Sequence, residues 1–306
     1  MYNEKLKKWY IGEKETSTIT PKKYLEKLFT KTEEYETNYK KDIYDFNFYE
    51  IESLYKALNF ESYDAIEIFN SHLNNYTNFC LQQSLVKDNQ NHFVEFDSGL
   101  LSKYVNKAAI AKKIISREQL NRWLNDLINV SDAFLFEALF EGIQGSGYKN
   151  LAFITIEDFR GNVYIDKDGK KIQVTDKLVA LAEESSKTYI YYPIKANSKK
   201  ECTFKDEKWI LKRYCNVSDD MDLEREGRRI YRQFRKCAEY LDVPYLKPKD
   251  LIKSGRIHYI NTRCKELGMT AEAVLNDYKY LNEVNQRFEP KIKVVPYLRE
   301  YGDYLV

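Results

Sequence analysis

Cysteine and histidine are scarce in this sequence, and neither is spaced for metal binding. The 306 residues contain no Cys-x-x-Cys pair, and the five cysteines lie at Cys80, Cys202, Cys215, Cys237 and Cys264. Such scattered thiols are typical of a reducing cytosol and exclude a disulfide scaffold or a zinc site. The three histidines, His72, His92 and His258, are equally dispersed. We therefore predict no metal site and no cofactor.

Long apolar runs are also missing. No segment approaches the roughly 18 consecutive apolar residues of a membrane span, and the opening MYNEKLKKWY has no apolar signal core. Hydrophobic residues make up 43% of the chain and charged residues 31%, a balance typical of folded soluble proteins. We expect a cytoplasmic protein without a membrane partner.

The patterns of common enzyme sites are absent as well. The glycines of GIQGSGYKN (142–150) lack the spacing and the final Lys-Ser/Thr pair of a phosphate-binding loop. The dispersed histidines offer no Ser-His-Asp or Cys-His arrangement, and the many carboxylates follow no order that indicates an acid–base pair. The residues alone therefore indicate no catalytic group.

Helical periodicity is present along most of the chain, and the length suffices for two domains. Apolar stripes run from Phe48 to Leu58 and, behind a Ser62 cap, from Ala65 to Cys80. The polar stretch 84–99 interrupts this pattern. We predict an N-terminal helical bundle at 1–100, a linker at 101–115 and a second domain at 116–306.

The second domain combines helices with a small β element. Ser116 carries the start signal of a helix, and an apolar helix that ends at Gly142 follows. The runs NVYID and KKIQV flank Asp168-Gly169, which predicts a hairpin with a type I′ turn. Residues 176–186 are expected to be helical, 188–194 extended, and 222 onward mainly helical. The fold class is mainly α with a small β-hairpin or sheet.

Charge is distributed unevenly, although the net charge is only +2. Residues 30–68 hold ten acidic and four basic side chains, whereas residues 208–263 hold fourteen Lys or Arg against eight Asp or Glu. One face of the second domain can therefore be strongly positive while the whole protein stays nearly neutral.

The sharpest local feature is a basic stripe on the helix predicted at 222–241. Residues of one sign recur at spacings of three and four, namely Arg225, Arg228, Arg229, Arg232, Arg235 and Lys236. Five guanidiniums within eleven residues repel one another unless an anion lies across them, and phosphate suits the planar guanidinium. A solvated charged face, partly offset by Glu224, Glu226 and Glu239, is the alternative. The stripe favours nucleic acid.

Two further groups of basic residues are also candidates for phosphate binding, but their pattern is weaker than that of the stripe. One comprises Lys247, Lys249, Lys253, Arg256 and Arg263, and the other comprises the hairpin lysines Lys167, Lys170 and Lys171. Lysines at a hairpin tip are ordinary solubility features, so these three carry little weight alone.

The order of elements resembles a tyrosine recombinase or phage integrase, with a core-binding-like bundle before a catalytic-like domain. When Asp158-Phe159 is matched to the family's Asp-Ile pair, Gly147 falls on the first catalytic arginine. KSGRIHYINTRCKELG places Lys253 and Arg256 on the family's His-x-x-Arg, twelve residues before Gly268. The resemblance implies that Lys167 or Lys170 corresponds to the hairpin lysine.

The remaining family positions are degraded. The next motif falls at Leu275-Asn276-Asp277, which has no His or Trp, and the tyrosine nucleophile falls near Phe288. A gap in the register would move that nucleophile to Tyr297 or Tyr301. Loss of an arginine and of the tyrosine would remove transition-state stabilisation and the covalent route, so the resemblance predicts a chain that is not an enzyme.

A narrower resemblance links the segments MYNEKLKKWYIGE, GIQGSGYKNL and IKSGRIHYI to the master lysogeny-repressor family of SPβ-like Bacillus phages. It implies a DNA-binding repressor that maintains lysogeny from phage operator sites, associated with the nucleoid of a bacterial host. Further partners would be a second copy of the chain and a regulatory phage protein or peptide. The alternatives are an active recombinase that uses Arg256 with Tyr297, Tyr301 or Tyr304, and a helical protein that docks an acidic partner.

Overall fold

The computed structural model describes residues 1–15, 22–194, 201–215 and 222–306, which fold into two compact units. The first unit is Met1–Ala111 and the second is Lys112–Val306. The segment 101–115, predicted as the linker, spans the boundary between these units and contains a short helix. Within the described residues, no helix combines the length and the apolarity needed to cross a bilayer.

The first unit is helical. Its helices are α1 (Glu4–Glu15), α2 (Lys22–Tyr39), α3 (Phe48–Leu58), α4 (Tyr63–Gln82), α5 (Ser98–Leu101) and α6 (Lys107–Ala111). Asn47 accepts the backbone amide of Glu50 while the Glu50 carboxylate accepts the amide of Asn47, and this reciprocal cap starts α3. The Ser62 hydroxyl accepts the Ala65 amide at 3.3 Å, which confirms the predicted start of α4.

Aromatic rings fill the core of the first unit. Tyr10, Phe29 and Tyr76 are buried and meet edge to face, with ring centroids 4.8 to 6.2 Å apart. Beside them Lys7 and Glu36 form a fully buried ion pair. The Glu36 carboxylate also accepts a threonine hydroxyl and a backbone amide, so its buried charge is hydrogen-bonded.

The second unit contains nine helices and five short strands among the residues described. The helices are α7 (Arg117–Asp126), α8 (Val130–Phe140), α9 (Lys149–Ala152), α10 (Asp176–Lys187), α11 (Leu223–Tyr240), α12 (Pro248–Leu267), α13 (Ala271–Asn276), α14 (Tyr278–Arg287) and α15 (Val294–Tyr301). The strands are β1 (Phe159–Arg160), β2 (Val163–Ile165), β3 (Lys171–Gln173), β4 (Ile190–Tyr191) and β5 (Cys202–Thr203). The first three strands form one antiparallel sheet, and β4 pairs with β5.

Helix α8 is the centre of the second unit. Every residue from Ser131 to Phe140 is buried, because α10, α11 and α12 pack around this helix. At the crossing with α12 the backbones nearly touch, since a Cβ on Gly255 would lie 1.7 Å from the Phe140 carbonyl oxygen. Phe136 stacks on Phe234 of α11 with ring centroids 4.7 Å apart. These contacts fix the two helices that carry most of the predicted site residues.

The predicted hairpin is present, but its turn differs from the prediction. The Asp166 amide donates to the Lys170 carbonyl, so three residues rather than two form the loop. Only Gly169 has a positive φ, +77°, whereas a type I′ turn would require one at Asp168 too. The Asp166 carboxylate accepts the amides of Asp168 and Lys170, and these bonds favour the longer loop. The type I′ assignment is therefore wrong.

Candidate nucleic-acid interface

Helix α11 presents the basic stripe because its apolar positions are anchored on the opposite side. The Asp222 side chain accepts the Glu224 amide at 3.0 Å and starts the helix. Ile230, Phe234 and Cys237 are buried against the rest of the second unit. The arginines between these positions must therefore lie at the surface or along its edge.

Three arginines of the stripe are paired with carboxylates on the same helix or at its cap, and two of them, Arg228 and Arg235, lie outside the cavity described below. Arg228 lies 3.5 Å from Glu224 and 3.7 Å from Asp222, and its side chain is 61% exposed. Arg235 lies 3.5 Å from Glu239. Such exposed pairs contribute little to stability, but they offset part of the positive charge on this side of α11.

The other four basic residues share a narrower side of the helix. Spacings of four, three and four residues align Arg225, Arg229, Arg232 and Lys236, and all four line a cavity of about 220 Å³. Arg229 is held in place, because its Nε donates to Glu226 at 2.6 Å and its Nη2 donates to the Leu211 carbonyl at 2.9 Å.

Arg225, Arg232 and Lys236 are exposed at this cavity. No ion pair joins any of the three to a carboxylate in the part of the chain that the structure describes. Glu226 also lines the cavity, but Arg229 already neutralises it. The three exposed cations therefore leave a local positive charge, which can attract an anion.

Aromatic side chains form the other wall of the cavity. Phe204 and Tyr214 stack with centroids 5.4 Å apart and an interplanar angle of 14°, and Tyr191 packs against both. Lys212 lies over the ring of Tyr189, 3.7 Å from its centroid, and burial lowers the pKa of the Lys212 ammonium. This wall could not be predicted from the sequence, because its members lie outside α11 and meet the helix only through the tertiary fold.

A buried carboxylate, Asp132 of α8, is hydrogen-bonded to α11. Gln233 donates to Asp132 of α8 at 2.7 Å, and Asn129 donates to the other carboxylate oxygen at 3.0 Å. Burial raises the pKa of Asp132 above the usual range of a carboxyl. The sequence signal for this residue is a lone acidic side chain at the start of an otherwise apolar helix, because carboxylates are rarely buried without partners.

Helix α12 carries a second group of predicted site residues. Lys253 donates to the Tyr301 hydroxyl at 2.7 Å, and its Nζ lies 4.0 Å from the Glu300 carboxylate. Arg256 is only 6% exposed and donates to the Pro290 carbonyl at 2.9 Å. Burial lowers the pKa of the Arg256 guanidinium.

Tyr297 completes this group. The guanidinium of Arg256 lies 5.9 Å from the Tyr297 ring centroid. The Tyr297 hydroxyl is buried and has no hydrogen-bond partner within the described residues, and burial raises its pKa. The structure therefore brings both residues of the matched His-x-x-Arg pattern together with the two tyrosines considered as displaced nucleophiles.

The two degraded positions of the resemblance lie in different surroundings. Gly147 is in a turn with φ +61°, and a Cβ built on it would lie 3.9 Å from Cε of Lys149. This turn packs against α11, because a Cβ on Gly227 would lie 2.2 Å from the Gly147 carbonyl oxygen. Phe288 is buried, and its ring lies 5.7 Å from the Arg256 guanidinium.

The two predicted site lysines of the hairpin, Lys167 and Lys170, make different contacts. Lys167 is exposed and lies 5.0 Å from the ring centroid of Phe153. Lys170 lies 3.7 Å from Glu289, which directly precedes the Pro290 carbonyl bound by Arg256. The hairpin and α12 thus contact the same short segment of chain. No cluster of His, Cys, Asp or Glu suited to a metal ion occurs in the described ranges.

Comparison with known proteins gives matches over both units. Residues 114–300 match the family model described as MrpR, C-terminal catalytic domain, and residues 1–82 match the one described as MrpR, N-terminal core-binding domain. The SPbeta prophage-derived uncharacterized protein YopR of Bacillus subtilis (strain 168) is 23% identical over 313 residues, which cover 98% of this chain and 94% of that relative.

These matches confirm one prediction and overturn another. The mainly helical architecture, with a core-binding-like domain before a catalytic-like domain, is confirmed. The prediction that the chain is not an enzyme is wrong, because the model that matches residues 114–300 describes a catalytic domain. That prediction gave too much weight to two aligned positions, Gly147 and Phe288, in a register fixed by short motifs.

Proposed function

The chain belongs to the MrpR family, and we propose that it is a duplex-DNA-binding repressor that maintains lysogeny from phage operator sites. The observation that carries the proposal is the side of α11 where Arg225, Arg232 and Lys236 stand exposed and without a carboxylate partner among the described residues. The relative YopR is derived from the SPbeta prophage, which supports a prophage setting for this chain.

Phosphate contacts supply the affinity in this proposal. Each exposed cation that meets a phosphate releases counterions, so binding weakens steeply as salt rises. Arg228, Arg229 and Arg235 take a weaker part, because carboxylates or a backbone carbonyl already engage them. Lys167 is exposed on the hairpin and adds a further contact.

Lys170, Lys253 and Arg256 take part only after a rearrangement. Each is engaged by a neighbour of its own domain: Lys170 by Glu289, Lys253 by Tyr301 and Arg256 by Pro290. DNA must displace these partners before phosphate can reach the cations. Sequence recognition then comes from side chains that reach base edges in the grooves.

Footprinting on the genome that encodes the chain tests the repressor role. We expect protection of a few discrete sites that overlap promoters, and transcription from those promoters should rise when the gene is deleted. Protection that is uniform along the DNA, or discrete sites with no change in transcription, would contradict the proposal. A second copy of the chain and a regulatory protein or peptide remain predicted partners.

A second candidate function is phosphoryl transfer to a tyrosine of the same domain. The observation that favours it is the grouping of Lys253 and Arg256 with Tyr297 and Tyr301. A cationic pair beside a tyrosine hydroxyl is the arrangement that DNA strand cleavage through a covalent intermediate requires.

A nicked suicide substrate distinguishes this second candidate. If the tyrosines act, the wild-type protein forms a covalent adduct with the DNA, and either Tyr297→Phe or Tyr301→Phe abolishes it. If neither variant changes the adduct, or none forms under conditions in which the DNA is bound, phosphoryl transfer by these residues is refuted.

A further inference from the structure

The cavity beside α11 joins positive charge to an aromatic wall, a combination that phosphate binding alone does not require. We propose that this cavity is a subsite for one unpaired nucleotide, with the base against Tyr214 and the phosphate against Arg225, Arg232 and Lys236. A base inside a duplex is stacked and paired and cannot enter such a cavity. The inference therefore goes beyond duplex binding and shares with it only the cations of α11.

The aromatic wall has the character of a stacking platform. Phe204 is buried beneath Tyr214, and the nearly parallel rings hold each other flat. Tyr214 is the more exposed ring of the stack, which leaves it accessible from the cavity. Aromatic rings of this kind bind bases of any sequence, because every base has a flat π face.

The cavity also offers a group that can recognise a base edge. Gln233 lines it, and the Gln233 amide nitrogen is engaged by Asp132 at 2.7 Å. The side-chain oxygen of Gln233 remains an acceptor for an amino group of a base. Because Asp132 is buried and fixes the amide, the position of this acceptor is set before any ligand arrives.

The available space suits a nucleotide. A second cavity of about 500 Å³ shares Tyr191, Tyr214 and Lys236 with the first cavity of about 220 Å³. Together they fall within the roughly 300–1,000 Å³ of small-molecule sites. The base and sugar therefore have room beside the aromatic wall while the phosphate stays at the cationic rim.

The nucleotide could be a free mononucleotide or an extrahelical nucleotide of DNA, and one fluorescent base distinguishes the two. Full-length protein is titrated into 2-aminopurine deoxynucleoside monophosphate, and separately into a duplex that carries one bulged 2-aminopurine. Stacking quenches the fluorescence, so saturable quenching in the first arm indicates a free nucleotide and in the second an extrahelical nucleotide of DNA. Inorganic phosphate at equal concentration is the competitor that lacks a base.

Variants assign the quenching to the cavity. Tyr214→Leu should weaken binding by about tenfold or more through lost stacking, whereas Tyr214→Phe keeps the ring and should bind like wild type. With the free nucleotide, Arg232→Gln should weaken binding, whereas the matched change Arg228→Gln, at an ion-paired arginine that does not line the cavity, should not. Circular dichroism melting of each variant confirms that the fold is retained.

Failure of this subsite is distinguishable from failure of duplex binding. The anisotropy of a fully paired duplex is followed with the same samples. Duplex binding without quenching in either arm overturns the subsite while leaving the proposed repressor intact. Displacement of the nucleotide by inorganic phosphate at equal concentration, or quenching unchanged by Tyr214→Leu, overturns it as well.

Discussion

The division of the α11 stripe into paired and unpaired arginines predicts a specific salt dependence. We consider the double variant Arg225→Gln with Arg232→Gln, which removes two exposed cations. Each phosphate contact contributes about 0.9 to the slope of log K against log salt on duplex DNA. The double variant should therefore lower the slope by about 1.8. Between 50 and 200 mM salt, wild-type protein should lose roughly twelvefold more affinity than the variant.

Fluorescence anisotropy with a labelled operator duplex measures this slope directly. The control is Arg228→Gln with Arg235→Gln, which removes the same charge from arginines that lie beside Glu224 and Glu239. We expect the control to keep a slope close to that of wild type. Equal slopes for the two double variants would show that the pairing of these arginines does not decide which of them meets the DNA, and would refute the reasoning.

Three further predictions concern the fold and its titration. Gly255→Ala should destabilise the protein by roughly 3 kcal/mol or prevent folding, because its Cβ would collide with the Phe140 carbonyl, and urea unfolding measures the loss. Burial raises the pKa of Asp42 to about 7, so the folded state holds a proton that the unfolded chain releases between about pH 4 and 7. The free energy of unfolding should therefore fall as pH rises from about 4 to about 7. Asp42→Asn should flatten this dependence, and an unchanged profile would refute the assignment. Tyr297→Phe removes a buried hydroxyl that has no partner among the described residues, so it should cost no stability. Tyr301→Phe removes the hydrogen bond from Lys253 and should cost about 1 kcal/mol. Thermal unfolding measures both, and the reverse order would contradict the structure.

Local patterns in the sequence predicted the secondary structure well where one signal dominates. The helix expected at 222–241 is observed at Leu223–Tyr240, and the hairpin expected around Asp168-Gly169 is present. The turn type was wrong because the Asp166 side chain caps a longer loop. A side chain outside the turn thus overrode the preference of the two residues inside it.

The candidate site was predictable only in part. The spacing of the stripe on α11 identified its basic residues, and Glu224, Glu226 and Glu239 were named only as offsetting part of its charge. Which arginines pair with them became clear from the structure. The aromatic wall was not predictable, because Tyr191 and Tyr214 reach α11 only through the tertiary fold. The packing of Tyr297 against Arg256 likewise depends on how the last helix returns to α12.

The central claim is that the chain binds duplex DNA at specific sites through the unpaired cations of α11. The most direct test is a genome-wide binding assay with purified full-length protein at about 100 mM salt, alongside the Arg225→Gln, Arg232→Gln variant. The account predicts a small number of saturable sites for wild-type protein and weaker occupancy of those same sites for the variant. No enrichment over bulk DNA by wild-type protein, even at low salt, would contradict it.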